Sequence, residues 1–412
     1  MKKFAALLVS FALLFSFVTS VQAEAKPISI WLDDEPLQLG QSEPIIEKGT
    51  TLVPAKLILE KLEFKVSWDQ ENKAVIAEKA GLVLALLTGH QTAYINNVEK
   101  ALPAAPRVIG GTAYVPLRFI SEAAGYKVSW NNAERAALLE EKEASRGFLW
   151  KTEHAGNTVY LLGSIHIANE AMYPLRKEIQ EAYESSDYLV VEADISKAGE
   201  PAIQKLVEEI STYKDGTTLK DHISAETYAE IGKILKGFGL EPNAFDAFKP
   251  WNVSLGLDGL TSQKQGFSAG IGIDAFFLQQ AIAGSLPIIE LESFELQLRM
   301  FDGFSAELQE EMLKGSIESF YAEDSGIDEL SDMWVSGNEE ELLALTNETA
   351  GNEELYKAML EDRNLPMAHK IKGYLNGEKG ETYFVVVGAA HMLGEHGLVP
   401  LLEKEGFTVT RQ

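Results

Sequence analysis

Cysteine is absent from the 412 residues. Its absence excludes disulfide staples, thiol nucleophiles, thiolate zinc sites and iron–sulfur clusters. Any metal site must therefore be built from histidine, carboxylate and water. Histidine itself is scarce, at 7 residues, so a recurring placement of it carries weight. Positive charge is in deficit: 36 lysines and arginines face 62 aspartates and glutamates, a formal net charge of −26. A field of that sign repels phosphate backbones, so no nucleic-acid partner is expected. Long apolar runs are missing except at the N-terminus, where Phe4 to Val18 follows Lys2 and Lys3 and precedes Val21-Gln22-Ala23. A basic start, an apolar stretch and small residues at a cleavage position make a secretory signal peptide over residues 1–23. The run is shorter than the ~20 residues a membrane span needs. Removal after Ala23 is expected rather than retention as an anchor, which yields a secreted or cell-surface protein. The hydrophobic share of 46% and charged share of 24% are those of a globular chain, and the length calls for at least two domains.

An internal repeat defines the first of them. Val53-Pro54 and Lys65-Val66-Ser67-Trp68 recur 62 positions later as Val115-Pro116 and Lys127-Val128-Ser129-Trp130, and half of the 16 aligned positions are identical. Each copy reads as an extended segment, a proline in the first turn of a short helix, and a strand of alternating character ending in tryptophan. A further strand follows each, Ala74 to Glu78 and Ala136 to Glu140. Two such units are expected to pair into one small α+β domain over residues 27–141. Its one histidine, His90, gives no basis for a metal centre.

The second domain, residues 147–412, has a different grammar. The apolar run Thr158 to Leu162 ends in Gly163-Ser164-Ile165-His166, and Tyr188 to Val191 ends in Glu192-Ala193-Asp194. Near the C-terminus Tyr383 to Val387 runs into Gly388-Ala389-Ala390-His391. A glycine three residues before a histidine is a weak signal alone. Here both copies follow a five-residue apolar strand, where glycine permits a sharp turn and leaves room for a ligand. The alternative for each histidine is a strand cap bonded to backbone. Strands apolar throughout are expected when helices cover both faces of a sheet. The fold class is therefore α/β, with a mainly parallel sheet flanked by helices and a small α+β domain of two similar repeats in front. In such sheets ligands collect at the carboxyl ends of the strands, where His166, Glu192 and His391 fall. Helices are expected over about 174–184, 202–210, 225–236, 275–283, 295–319 and 339–345, and a last one holds 355–362, Arg363-Asn364 and 367–375. A strand over 287–291 brings Glu292 to the same edge.

These residues resemble known families. The Val-Pro and Val-Ser-Trp elements are similar to the copper amine oxidase N-terminal-like domain, which implies attachment to cell wall or matrix, or a passive spacer. Gly163-x-x-His166, Glu192-Ala193-Asp194, Gly272-Ile273-Asp274, Leu291-Glu292, Arg363-Asn364 and Val387-Gly388-Ala389-Ala390-His391-Met392-Leu393-Gly394 follow in order the pattern of the TraB/GumN family, which includes the TIKI metalloproteases. The resemblance implies an active site of His166, Glu192, Arg363 and His391. His166, Glu192 and His391 would hold a divalent metal (manganese, cobalt or zinc), and Asp274 and Glu292 would either support the histidines or serve as a helix cap and a rim carboxylate. It implies hydrolysis of a peptide or protein substrate, with Glu192 as ligand or general base and Arg363 on the oxyanion or the substrate carboxylate; on its residues alone Arg363 reads equally as a helix-end salt bridge. Two other classes stay open: a metal-free hydrolase with His166 as base, as in the erythromycin esterases, and a non-catalytic binder of a peptide or haem-like ligand.

Overall fold

The computed structural model describes residues 26–40, 42–79, 82–95 and 98–412. The signal peptide read over residues 1–23 lies outside them. The described residues form two compact units, one ending at Lys142 and one spanning Glu143–Gln412. Among them no helix is long and apolar enough to cross a membrane.

In the first unit the two repeats meet through their equivalent strands. Thr50–Pro54 pairs antiparallel with Thr112–Pro116, and Val53 faces Val115, its own counterpart. This central pair is flanked by Ile45–Glu47 and Arg107–Ile109 in a four-stranded sheet. Each central strand runs into a seven-residue helix, Ala55–Lys61 or Leu117–Ala123. The prolines sit one residue earlier than expected: Pro54 and Pro116 end the strands as helix caps rather than opening the first turn, both with φ −61°. The two Val-Ser-Trp strands pair antiparallel with the strands that follow them. Ile30, Val53, Ile58, Leu84, Val115 and Ile120, all fully buried, share one core.

The second unit is an α/β body around a six-stranded sheet. Its strands are β1 (Phe148–His154), β2 (Asn157–Ser164), β3 (Tyr188–Val191), β4 (Ile288–Glu290), β5 (Thr382–Gly388) and β6 (Val409–Arg411). Their order is β4-β3-β5-β2-β1-β6. The sheet is mixed, where the sequence suggested a mainly parallel one. β4, β3, β5 and β2 run parallel, but β1 and β6 add two antiparallel pairings at one edge. The cause is local. β1 turns into β2 through Ala155 and Gly156, with φ 49° and 84°, a two-residue reversal that only antiparallel neighbours can share.

The long segments between β3 and β4 and between β4 and β5 are helical. Three helices, Ala225–Gly237, Pro250–Lys264 and Ala306–Tyr321, contribute to a small core of their own around Ile231, Leu257 and Leu313. The single stretch expected over 295–319 is two helices, Phe294–Asp302 and Ala306–Tyr321, because Ser305 caps the second by accepting from the Leu308 amide at 3.2 Å. Three further helices position the site: α1 (Ile273–Gly284), α2 (Ile327–Ser336) and α3 (Asp362–Leu375). The last helix expected through Arg363-Asn364 is continuous there, as read. The chain passes from Glu353–Tyr356 through a wide π-turn, Lys357–Glu361, straight into α3. Pro366 lies inside α3, so the regular ladder lacks a donor one turn after the wide turn.

Helix α2 escaped the sequence reading, yet it holds down the strand that leads to His166. The fully buried Trp334 indole donates to the Gly163 carbonyl at 2.8 Å. Replacing Trp334 by phenylalanine is expected to leave that carbonyl unpaired and to destabilise the protein by about 1–3 kcal/mol, read as a lower urea midpoint at unchanged slope.

Candidate functional site at the carboxyl edge of the sheet

Four parallel strands deliver polar groups to one edge. Beyond β2 comes His166, beyond β3 Glu192, beyond β4 Glu292, and β5 ends at Gly388 before the tight turn Ala389–His391. Close backbone approach makes the convergence possible. A Cβ on Gly163 would lie 3.0 Å from the Ala389 Cα, so the two glycine–histidine loops touch there. A Cβ on Gly272 would fall 2.3 Å from the His166 carbonyl oxygen. That glycine lets the start of α1 lie against the His166 backbone, which brings Asp274 within reach of the ring. Gly388 marks the centre. A Cβ there would meet His391 Cδ2 at 3.4 Å, His166 Nε2 at 3.5 Å and Glu192 Oε2 at 3.6 Å.

Each of these side chains has partners behind it. His166 Nδ1 lies 3.1 Å from Asp274 Oδ1, and His391 Nδ1 bonds Asn364 Oδ1. Asn364 is itself anchored by donating to the His396 carbonyl at 2.8 Å. Both imidazoles are thereby held by Nδ1, with Nε2 left toward the centre. His391 Nε2 stands 3.7 Å from Glu192 Oε2. Glu192 accepts from the Gly388 amide at 3.0 Å, from Gln297 Nε2 at 2.8 Å and from Arg363 Nη2. Arg363 also grips Glu292, with Nε at 2.9 and 3.1 Å from its two oxygens and a further bond from Nη2. Its Nη1 turns to the Met359 carbonyl at 3.4 Å.

Burial and charge set the protonation states. Burial pushes His391 down to about 4, so this ring is neutral near pH 7. For Glu192 burial favours the neutral form, but His391, His166, Arg363 and the Gly388 amide outweigh it and hold the carboxyl at about 2. Glu292 is raised by burial and by Glu192, against the pull of Arg363. His166 differs from His391 in its surroundings. Enclosure on its Asp274 side works against the charge, the Asp274 carboxylate more than reverses that, and its pKa rises to about 9. Its other side is open: 62% of the side chain is accessible, so solvent screens that attraction and the direction is what the Asp274 contact dictates.

The donors fit a divalent metal in kind. Imidazoles held by Nδ1 with Nε2 free, beside an ionised carboxylate, are the arrangement in which histidine ligates metals. Their present spacing is not that of a closed cage: among the described residues no group of three or more histidines and carboxylates is set to hold an ion, and both Glu192 oxygens already accept hydrogen bonds.

Residues 148–411 match the TraB/PrgY/gumN family. The chain belongs to that family. Residues 31–139 match the copper amine oxidase N-terminal domain. Among similar proteins, YbaP of Escherichia coli is 27% identical over 246 residues, 59% of this chain and 87% of that protein. A protein named protease inhibitor from Brevibacillus choshinensis is 28% identical over 34% of this chain and 42% of its own length. A metalloprotease TIKI homolog from Amphimedon queenslandica is 38% identical over 72 residues, 16% of this chain and 14% of that protein.

For this TraB/PrgY/gumN member, the structure puts His166, Glu192 and His391 around one point. It puts Arg363 and Glu292 behind Glu192, and Asp274 behind His166. Glu292 does not touch a histidine; its partner is Arg363. Arg363 in turn is committed to carboxylates and a backbone carbonyl rather than open for substrate. Sequence reasoning gave no role to Gln297 or Asn364. Asn364 had a signal in its place beside Arg363, whereas nothing in a surface-patterned helix distinguishes Gln297. Because Arg363 neutralises two buried carboxylates, Arg363→Ala is expected to cost about 3–5 kcal/mol. Denaturant unfolding of that variant beside Glu292→Gln checks this, with the second change expected to be the milder.

Proposed function

We propose that this chain is a metal-dependent hydrolase that cleaves peptides or proteins outside the cytoplasm, with the space over Gly388 as its reaction site. The observation that carries this reading is the pair of imidazoles held by Nδ1, whose Nε2 atoms approach one point beside an ionised, buried Glu192. His166 Nε2, His391 Nε2 and Glu192 Oε2 would hold manganese, cobalt or zinc, donors that suit all three. When bound, such an ion supplies a Lewis acid and lowers the pKa of water. The protein's own part is orientation. Asn364 fixes the His391 tautomer, Asp274 steadies the His166 ring, and Arg363 with Gln297 keeps Glu192 ionised and aimed. Glycine at 388 keeps the reaction space open. Peptide chemistry is supported by the relatives whose names speak of a metalloprotease and a protease inhibitor, and an extracytoplasmic setting by the leader-like residues 1–23. The repeat domain, remote from this chemistry in sequence, serves attachment to cell wall or matrix.

The His166–Asp274 pair favours a second reading, in which His166 acts on a proton without any metal. In that reading the Asp274 carboxylate, 3.1 Å from Nδ1, holds the ring in place and favours its charged form.

A mixed peptide library incubated with chelator-stripped full-length protein, then with added manganese, cobalt or zinc, decides between them. Fragments are expected only after metal is restored. Full turnover in the stripped protein selects the metal-free reading, and depletion of peptides without fragments selects a binder. His166→Ala and His391→Ala should each abolish turnover, and the double variant should lose little more, since members of one catalytic unit are not additive. Gly388→Ala should also abolish it while melting near wild type, because the added methyl meets its neighbours at ordinary contact distance. His369→Ala is expected to be neutral.

A further inference from the structure

Ser164 is the last residue of β2 and is only 2% exposed. Its hydroxyl has no hydrogen-bond partner within the protein. Buried hydroxyls are nearly always satisfied, so an orphan one calls for an explanation. Its place in the sheet supplies one. Ser164 pairs in parallel register with Gly388, and paired residues of a parallel ladder project to the same face while successive residues alternate. The Gly388 Cβ direction leads to His166, His391 and Glu192, whereas the Gly163 direction leads the other way, to Ala389 and Phe148. Ser164 therefore rises from the floor on the side of the site, beside Gly388.

Apart from the His166 ring, which Asp274 draws toward its charged form, the described groups around the space over Gly388 are acceptors or are turned away. Glu192 offers only acceptor oxygens, His391 presents the lone pair of Nε2, and Arg363 is turned to Glu192, Glu292 and the Met359 carbonyl. A ligand oxygen entering between the histidines, whether a water or a peptide carbonyl, needs a hydrogen directed at it.

We infer that the Ser164 hydroxyl donates to the oxygen of the ligand held between His166, His391 and Glu192, taking the role at the oxyanion that Arg363 is not placed to fill. For a peptide carbonyl this rests on the hydrolase reading, since the bond strengthens as charge develops on that oxygen. For water it stands without that reading.

Two arms test it on the full-length protein. In the first, a high-resolution crystal structure of the wild type is expected to show a water or another non-protein oxygen within hydrogen-bond distance of Ser164 Oγ, and that site is lost in Ser164→Ala. A Ser164 hydroxyl bonded to a backbone carbonyl instead, with no such oxygen beside it, overturns the inference whether or not the protein cleaves peptides. In the second, Ser164→Ala is compared with wild type for melting temperature and for kcat and KM on a cleaved peptide. The melting temperature is expected to hold or rise, because no protein bond is lost, while kcat falls about 10²-fold and KM changes little. Ser164→Thr, which keeps the hydroxyl, is expected to recover most of kcat. A lowered melting temperature with kcat intact marks a structural role and overturns the proposal. If the wild type leaves every peptide uncut, the hydrolase reading falls and the first arm alone decides on Ser164.

Discussion

The site depends on one guanidinium. Arg363 is buried between two carboxylates that arrive from different strands, Glu192 beyond β3 and Glu292 beyond β4. Charges taken so far out of water are tolerated only when they are paired and hydrogen-bonded. The pairing therefore fixes relative positions: α3 cannot shift without stranding two acids, and neither strand end can move without stranding Arg363. Because Asn364 follows Arg363 on the same helix, the helix that neutralises Glu192 also orients His391. One element thus sets both the charge of the carboxylate and the tautomer of a ring.

The two imidazoles are alike in pattern and opposite in environment. His391 is enclosed, bonded to a neutral amide and held neutral. His166 is open to solvent on one side, bonded to a carboxylate and drawn toward the charged form. A pair of titratable groups pushed in opposite directions is a common property of sites that handle protons or metals. It also sets the two rings apart: one is held neutral, the other is drawn toward its charged form.

Much of this was legible in the sequence, for identifiable reasons. Apolar runs ending in glycine and histidine mark buried strands and their carboxyl ends, and the 62-residue offset exposes a repeat without any structure. The strand order was not legible, because β1 and β6 lie at the two ends of the domain and pair through long-range contacts that leave no periodic trace. Helix α2 was missed although Ile327, Leu330, Met333 and Trp334 recur at helical spacing, and its importance lies in one indole. The last helix was legible on both sides of Pro366, whose ring removes one backbone donor. The structure absorbs the missing donor in a helix that already widens one turn earlier, at Lys357–Glu361.

The pairing of Val53 with Val115 has a meaning beyond the first unit's own architecture. When equivalent residues of two repeats face each other across an antiparallel pair, the local axis is that of a symmetric dimer. The first unit is in this sense a dimer written on one chain. Between separate copies, such an association would weaken with dilution. The tether between the halves makes their encounter intramolecular, at an effective concentration set by the linker rather than by the solution. A chain that carries both halves thereby keeps that domain assembled at any dilution.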